Sequence, residues 1–291
     1  MSLQVLKEIR TAVANLSPHE VQAAAERTLR IGLLASNDEG YEAMEEFLLP
    51  SEKVSYRKRT AAAGMLHRAG DRDLPEELDI ILCERGIPCP AVAFSFDPGQ
   101  PDAAVREILA KNEDLGLALA RNFPLFRQPV VHQVIHSVSR DNAFFAVLTA
   151  LPDVIPSLVE LPWTVTEFAS DTAFLTINQI RMAFLIAAAS DQPVGYSVQK
   201  AEIAGIVTGA FGFRALAREL AGKIPFGGGL IPKAAIAYAA TYVEGLGLER
   251  LHRLGYGLSR EERRNSYQAA FERGKDIVET VMRGMKAGTA A

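Results

Sequence analysis

Leu29-Arg30-Ile31-Gly32-Leu33-Leu34-Ala35 is a short apolar run that passes directly into a polar turn, Ser36-Asn37-Asp38-Glu39-Gly40. Its length and its bounding turn read as a buried strand. A helix follows over Tyr41 to Leu49 and is stopped by Pro50, which has no N–H to continue the ladder. Leu78-Asp79-Ile80-Ile81-Leu82-Cys83 and Ala91-Val92-Ala93-Phe94-Ser95-Phe96, each flanked by Pro or Gly, read as two more strands, and Asp102 to Lys111 returns to helical spacing. Strands alternating with helices predict a small α/β layer with a parallel sheet over residues 28–112.

Outward from that layer the pattern is helical. Apolar residues at 6, 9, 13 and 16 predict an N-terminal amphipathic helix, and Ser17-Pro18-His19-Glu20 reads as a capping box opening a second, so residues 1–27 are N-terminal helices. Past Asp114 no strand is legible. Val130, Val131, Val134, Ile135 and Val138 keep helical spacing, Pro152, Pro156 and Pro162 mark a bent connection, and further helices are expected over 163–190, 198–222 and 232–248. Ser259 with Glu262 forms another capping box, before a long charged helix. The expected fold class is α/β followed by all-α: a small parallel-sheet layer, degenerate and GTPase-like, then a helical bundle over 113–291.

The formal net charge of the 291 residues is −4, which excludes a strongly electrostatic nucleic-acid binder. Its distribution is uneven. Residues 141–199 carry one cation, Arg181, against six acids, whereas residues 200–291 carry 14 cations against nine acids. A basic block of this kind suits an acidic partner or an anionic lipid surface. Two cysteines exclude a disulfide scaffold in a chain this long and fit a reducing compartment. No secretion signal is legible at the start, and the longest run without Asp, Glu, Lys or Arg is 12 residues, short of a simple spanning helix.

No motif supplies catalysis. A phosphate-binding loop needs a lysine and a hydroxyl after its glycines; the turn after Leu34 offers Asp38 and Glu39 instead, which suit a helix dipole and repel phosphate. Cys83 stands where an NTPase would carry a metal-binding aspartate. Gly227-Gly228-Gly229-Leu230-Ile231-Pro232-Lys233 lies between helices and lacks the following Ser or Thr, so it reads as a turn. His132 and His136 share a helix face, but Gln133 replaces the glutamate of the zinc-protease pattern. No nucleophile elbow or triad is legible. The expectation is no enzyme activity, no cofactor and no metal.

The helix over 163–190 is the most informative of the remainder. Glu167, Asp171, Asn178 and Arg181 are spaced 4, 7 and 3 apart and fall on one narrow stripe at 100° per residue. A helix apolar elsewhere, with one thin polar stripe, belongs inside a bundle or faces lipid with its charges inward. These four residues are the candidate binding residues. Arg181 has no acid one turn before it, so its partner must lie on another helix; Arg214, Arg218 and Lys233 are candidate partners for Glu167 and Asp171.

Leu175-Thr176-Ile177-Asn178-Gln179-Ile180-Arg181-Met182, the Gly/Ala-rich stretch through Ile206 to Gly222, Ile224-Pro225 and Ala237-Tyr238-Ala239-Ala240-Thr241 carry a resemblance. Over roughly residues 150–256 the chain resembles a bacterial domain of unknown function found in YcjF-type inner-membrane proteins and often joined to Era-like GTPase domains. The resemblance implies a membrane-associated helical module at the bacterial inner membrane or its cytoplasmic face, working as a scaffold or regulatory partner. Its partners would be an anionic membrane surface or lipid, a GTPase, or a second copy. A soluble cytoplasmic scaffold for a GTPase and a divergent nucleotide-binding protein are the alternatives.

Overall fold

Ile31, Leu33, Ile80 and Leu82 are all at most 3% exposed; burial of such side chains contributes about 1.5–3 kcal/mol each, and that drives these short runs into a sheet interior. The computed structural model describes residues 16–149, 171–209 and 230–288. Strand β1 (Ile31–Leu34) follows helix α1 (Pro18–Ala25) and leads into α2 (Asp38–Leu48). Then come α3 (Tyr56–Ala63), β2 (Leu66–Arg68), β3 (Ile80–Glu84), β4 (Phe94–Phe96) and α4 (Pro101–Lys111). A 3-10 turn at Glu113–Leu115 precedes α5 (Gly116–Asn122).

The four strands form one sheet, ordered β2-β1-β3-β4, and every pairing is parallel. Register runs Ile31 opposite Leu66 and Ile80, and Leu82 opposite Phe94. Asp79 fixes the entry of β3, accepting from the Arg30 N–H at 2.8 Å and from Arg27 at 2.9 Å. The expected parallel α/β layer is therefore present. Two elements were not expected. β2 carries Leu66-His67-Arg68, half-buried throughout, at the sheet edge, and α3 buries only Ala62. Residues 91–93, expected as strand, are a turn ahead of β4.

The two cysteines depart from expectation. Cys83 and Cys89 are joined as a disulfide, with Cα atoms 6.1 Å apart. The bond is a local staple rather than a scaffold. Parallel neighbours normally need a crossover of a dozen or more residues, yet only residues 85–93 connect β3 to β4, without a helix. The bond ties the middle of that short crossover back to the strand it leaves.

The helical part comprises α6 (Pro124–Leu148), α7 (Asp171–Ala189), helical residues 200–209 (α8), α9 (Leu230–Leu254) and α10 (Arg260–Gly288). By contact pattern the chain divides into two compact units: one of residues Met1–Pro18, Gln133–Ile186 and Val194–Ala291, the other of His19–His132 with Ala187–Pro193. In the helical unit, α9 and α10 form a hairpin whose shared core includes Tyr238, Val243, Tyr267, Ala270 and Val278. The capping box at the start of α10 is made as expected: Ser259 N–H donates to Glu262 Oε2 at 2.9 Å, and Glu262 N–H donates to Ser259 Oγ at 3.3 Å. Gly245 marks a close approach of three helices. A Cβ there would stand 2.7 Å from Ile135 Cγ1 and 3.1 Å from Met182 Sδ.

The N-terminal helix, the proline-marked connection, the glycine-rich turn at 227–229, Glu167, Arg214 and Arg218 lie outside the described residues.

Candidate functional site

Open parallel sheets bind ligands beyond the carboxyl ends of their strands, at the point where the connections diverge. In this strand order that point lies between β1 and β3. Glu84, at the end of β3, lays its Oε2 against the loop after β1, accepting from Ser36 N–H at 2.7 Å and from Ser36 Oγ–H at 2.8 Å. The Ser36 backbone N–H, then its hydroxyl, holds the Glu84 carboxyl below the usual carboxylate range. Asn37 caps α2, its side chain accepting from Gly40 N–H at 2.9 Å. Gly40 is required there, because a Cβ would come within 2.9 Å of both Glu84 Oε2 and Ala35 Cβ.

The crevice thus already holds an anion supplied by the chain, beside two further acids, Asp38 and Glu39, in the first turn of α2. A phosphate placed there would meet the Glu84 carboxylate, with no lysine in the turn, and Asp38 is already paired with Arg68 at 3.6 Å. Cys83, fully buried and bonded to Cys89, offers no metal ligand. Among the described residues no group of His, Cys, Asp and Glu has the arrangement of a metal site.

In the helical unit the described part of the α7 stripe meets its neighbours through Asn178. Asn178, 7% exposed, donates from Nδ2 to Asn142 Oδ1 on α6 at 2.8 Å. Asn142 in turn donates to Thr241 Oγ1 on α9 at 2.8 Å. Gln179 reaches the same hydroxyl at 3.4 Å, and the Thr241 hydroxyl donates to Ala237 O at 2.9 Å. Three helices are thereby joined through one buried, neutral, hydrogen-bonded cluster. Arg181 is half-buried and acts electrostatically across to α6: the surrounding protein pushes the Asp141 carboxyl up, while the Arg181 and Arg140 guanidinia pull it down. Asp171 is the first residue of α7, and its side chain, like Glu167, is outside the described residues. Lys233 Nζ donates to Thr149 Oγ1 at 3.5 Å.

Asn142, Gln179 and Thr241 escaped the sequence reading of the site. Asn142 stands in Arg140-Asp141-Asn142, a triplet that looks solvated until helical phase turns its third member inward. His132 is exposed, whereas His136 Nδ1 lies 3.0 Å from the Tyr238 hydroxyl, so the two imidazoles have separate environments. Neighbouring α7, Gln199 is nearly buried and binds Ala183 O at 3.2 Å and Glu202 Oε2 at 2.8 Å. One window of α7, Thr172–Ala189, is long and apolar enough to cross a membrane, with a mean hydropathy of 1.4, and 78% of it is buried inside the protein.

Compared with known proteins, the chain matches no family model, no curated protein and no solved structure.

Proposed function

We propose that this protein is a non-enzymatic, membrane-associated helical module that carries a degenerate nucleotide-binding-like layer and serves as a scaffold or regulatory partner. The reading rests on one observation above the others: the crevice where a working α/β domain of this strand order would receive its ligand is occupied by the chain's own Glu84, clamped by Ser36. A layer closed in this way supports shape and partner binding rather than turnover. Kinship to the helical domain of YcjF-type inner-membrane proteins belongs to the same proposal, carried by the sequence motifs of α7 and α9.

Membrane association is supported by the composition of α7 and by the chemistry that ties it to α6 and α9. Helices in lipid associate through small residues and neutral side-chain hydrogen bonds, and Asn142, Asn178 and Thr241 supply such bonds at 2.8 Å. The test is fractionation of cells expressing the full chain. Recovery in the membrane pellet, released by detergent and not by high salt, is expected; complete recovery in the high-speed supernatant without detergent overturns the membrane part. The closed crevice is tested separately: GTP or ATP with Mg²⁺ leaves the melting temperature unchanged, and a saturable rise would restore the nucleotide-binding alternative.

A second reading, a soluble scaffold for another protein such as a GTPase, is favoured by the 78% burial of the α7 window. A detergent-free monomer that captures a GTPase in pull-down would select it.

A further inference from the structure

In the α/β unit, three cations gather around one turn. Lys58 on α3, Arg121 on α5 and Arg127 on α6 surround the turn Ser190-Asp191-Gln192. Lys58 Nζ pairs with Asp191 and also donates to Arg121 O at 2.8 Å. Arg121 reaches Asp191 at 3.7 Å, Glu26 at 3.5 Å and Gln192 O at 3.3 Å. Two carboxylates therefore serve the first two cations. Neither serves the third.

Arg127 is half-buried, and among the described residues it forms no ion pair within 4 Å and no hydrogen bond. Its Nε is enclosed without a partner. Burial lowers its guanidinium from the ordinary value, against only a distant pull from Asp191. Burial likewise lowers Lys58, on which Asp191 acts favourably and both arginines act unfavourably. Desolvated cations that repel one another, with one left unmatched, form an arrangement that a protein keeps at a loss of stability unless something negative completes it. The recess stays reachable, since the side chains of Lys58, Arg121 and Asp191 are 25%, 19% and 36% exposed.

We propose that Lys58, Arg121 and Arg127 form a binding site for a phosphoryl group. Arg127 is its principal ligand through the guanidinium fork, which matches phosphate oxygens two at a time. Lys58 supplies a point charge, and Asp191 positions Lys58 and Arg121 rather than touching the ligand. The site shares no residue with the crevice beside Glu84 or with the hydrogen-bonded cluster of α6, α7 and α9 on which the proposed membrane association rests, so either reading can fail without the other. The same chemistry fits free phosphate and the headgroup of an anionic phospholipid.

The full-length protein is titrated with inorganic phosphate at constant ionic strength, by calorimetry and by melting temperature. In parallel it is co-sedimented with vesicles of phosphatidylcholine alone or with phosphatidic acid. Expected is saturable binding in one arm, weakened at least about tenfold, or 1.4 kcal/mol, by Arg127→Gln and by Lys58→Gln. Arg106→Gln, which removes an exposed charge from α4, leaves it unchanged. Phosphate binding assigns a soluble ligand; binding confined to phosphatidic acid vesicles and lost in Arg127→Gln assigns the lipid. Arg127→Leu is expected to fold and to melt higher than the parent while losing the ligand. Binding in neither arm, or equal weakening by Arg106→Gln, overturns the site.

Discussion

Asp191 has φ +60°, a left-handed conformation usually left to glycine. It follows the last turn of α7, where Gln192 N–H donates to Ala187 O at 2.9 Å and Asp191 N–H to Ala188 O at 3.2 Å, the bond pattern of a Schellman ending. An acid there opposes both backbone preference and helix dipole. Its carboxylate, in turn, holds Lys58 and Arg121. Asp191→Gly therefore relieves the backbone while losing the ion pairs, and its stability in urea should stay within about 1 kcal/mol of the parent. Asp191→Ala loses the pairs and keeps the strain, and should fall about 1–2 kcal/mol lower. Equal losses in the two variants would show that the backbone conformation contributes nothing. Nothing in the local sequence announces this residue; Asp191-Gln192-Pro193 reads as a polar turn, and its partners lie more than sixty residues earlier in the chain.

Elements were legible in proportion to the apolar signal they carry. β1, β3, α2 and α4 bury continuous or periodic apolar faces, and the sequence reading found each within a few residues. α3 and β2 escaped it because Tyr56-Arg57-Lys58-Arg59 has no apolar period and Leu66-His67-Arg68 pairs only along one edge. The candidate site was legible at Asn178 and Arg181 through helical phase, but not at Asn142 or Thr241, whose role depends on which helices become neighbours. That cluster predicts its own energetics. Asn142→Ala leaves the buried Asn178 amide without the acceptor it donates to, while Thr241 keeps Ala237 O and Gln179, and should destabilise by about 1–3 kcal/mol, measured by urea unfolding. Thr241→Val should cost less, and the double variant less than the sum. Gly245→Ala should lower stability by about 1–3 kcal/mol, since Ile135 and Met182 must move; a neutral result would mean that the three-helix approach is loose.

The start of α10 carries a pH dependence. The Ser259 N–H first, then Arg250, lowers the Glu262 carboxyl from 4.5 to about 2. Because the folded value is the depressed one, this contribution is fully present above 4.5 and is lost as pH falls through about 2. An NMR titration should place the Glu262 midpoint near 2, with the first turn of α10 losing amide protection below it. A midpoint near 4.5 would dissolve the capping contact.

At the scale of the whole molecule, the two units place different demands on the same chain. One is ordered by a short parallel sheet with Glu84 hydrogen-bonded to Ser36 at its β1–β3 crevice, the other by long helices sharing a neutral cluster. The staple between Cys83 and Cys89 adds something that neither packing nor hydrogen bonding provides, namely a part of the backbone whose connectivity depends on the surrounding thiol pool. Closing so small a ring contributes about 2 kcal/mol by chain entropy. Its two sulfurs are unequal, for Cys83 is wholly enclosed while Cys89 stands in solvent. A dithiothreitol thiolate attacks the exposed Cys89 sulfur and expels the Cys83 thiolate, and closure of the dithiothreitol ring then frees Cys89. With both thiols free, iodoacetamide should label the exposed Cys89 well before the enclosed Cys83, read by peptide mass mapping. The protein would then carry a chemical record of the compartment it was taken from, written at the mouth of its third strand.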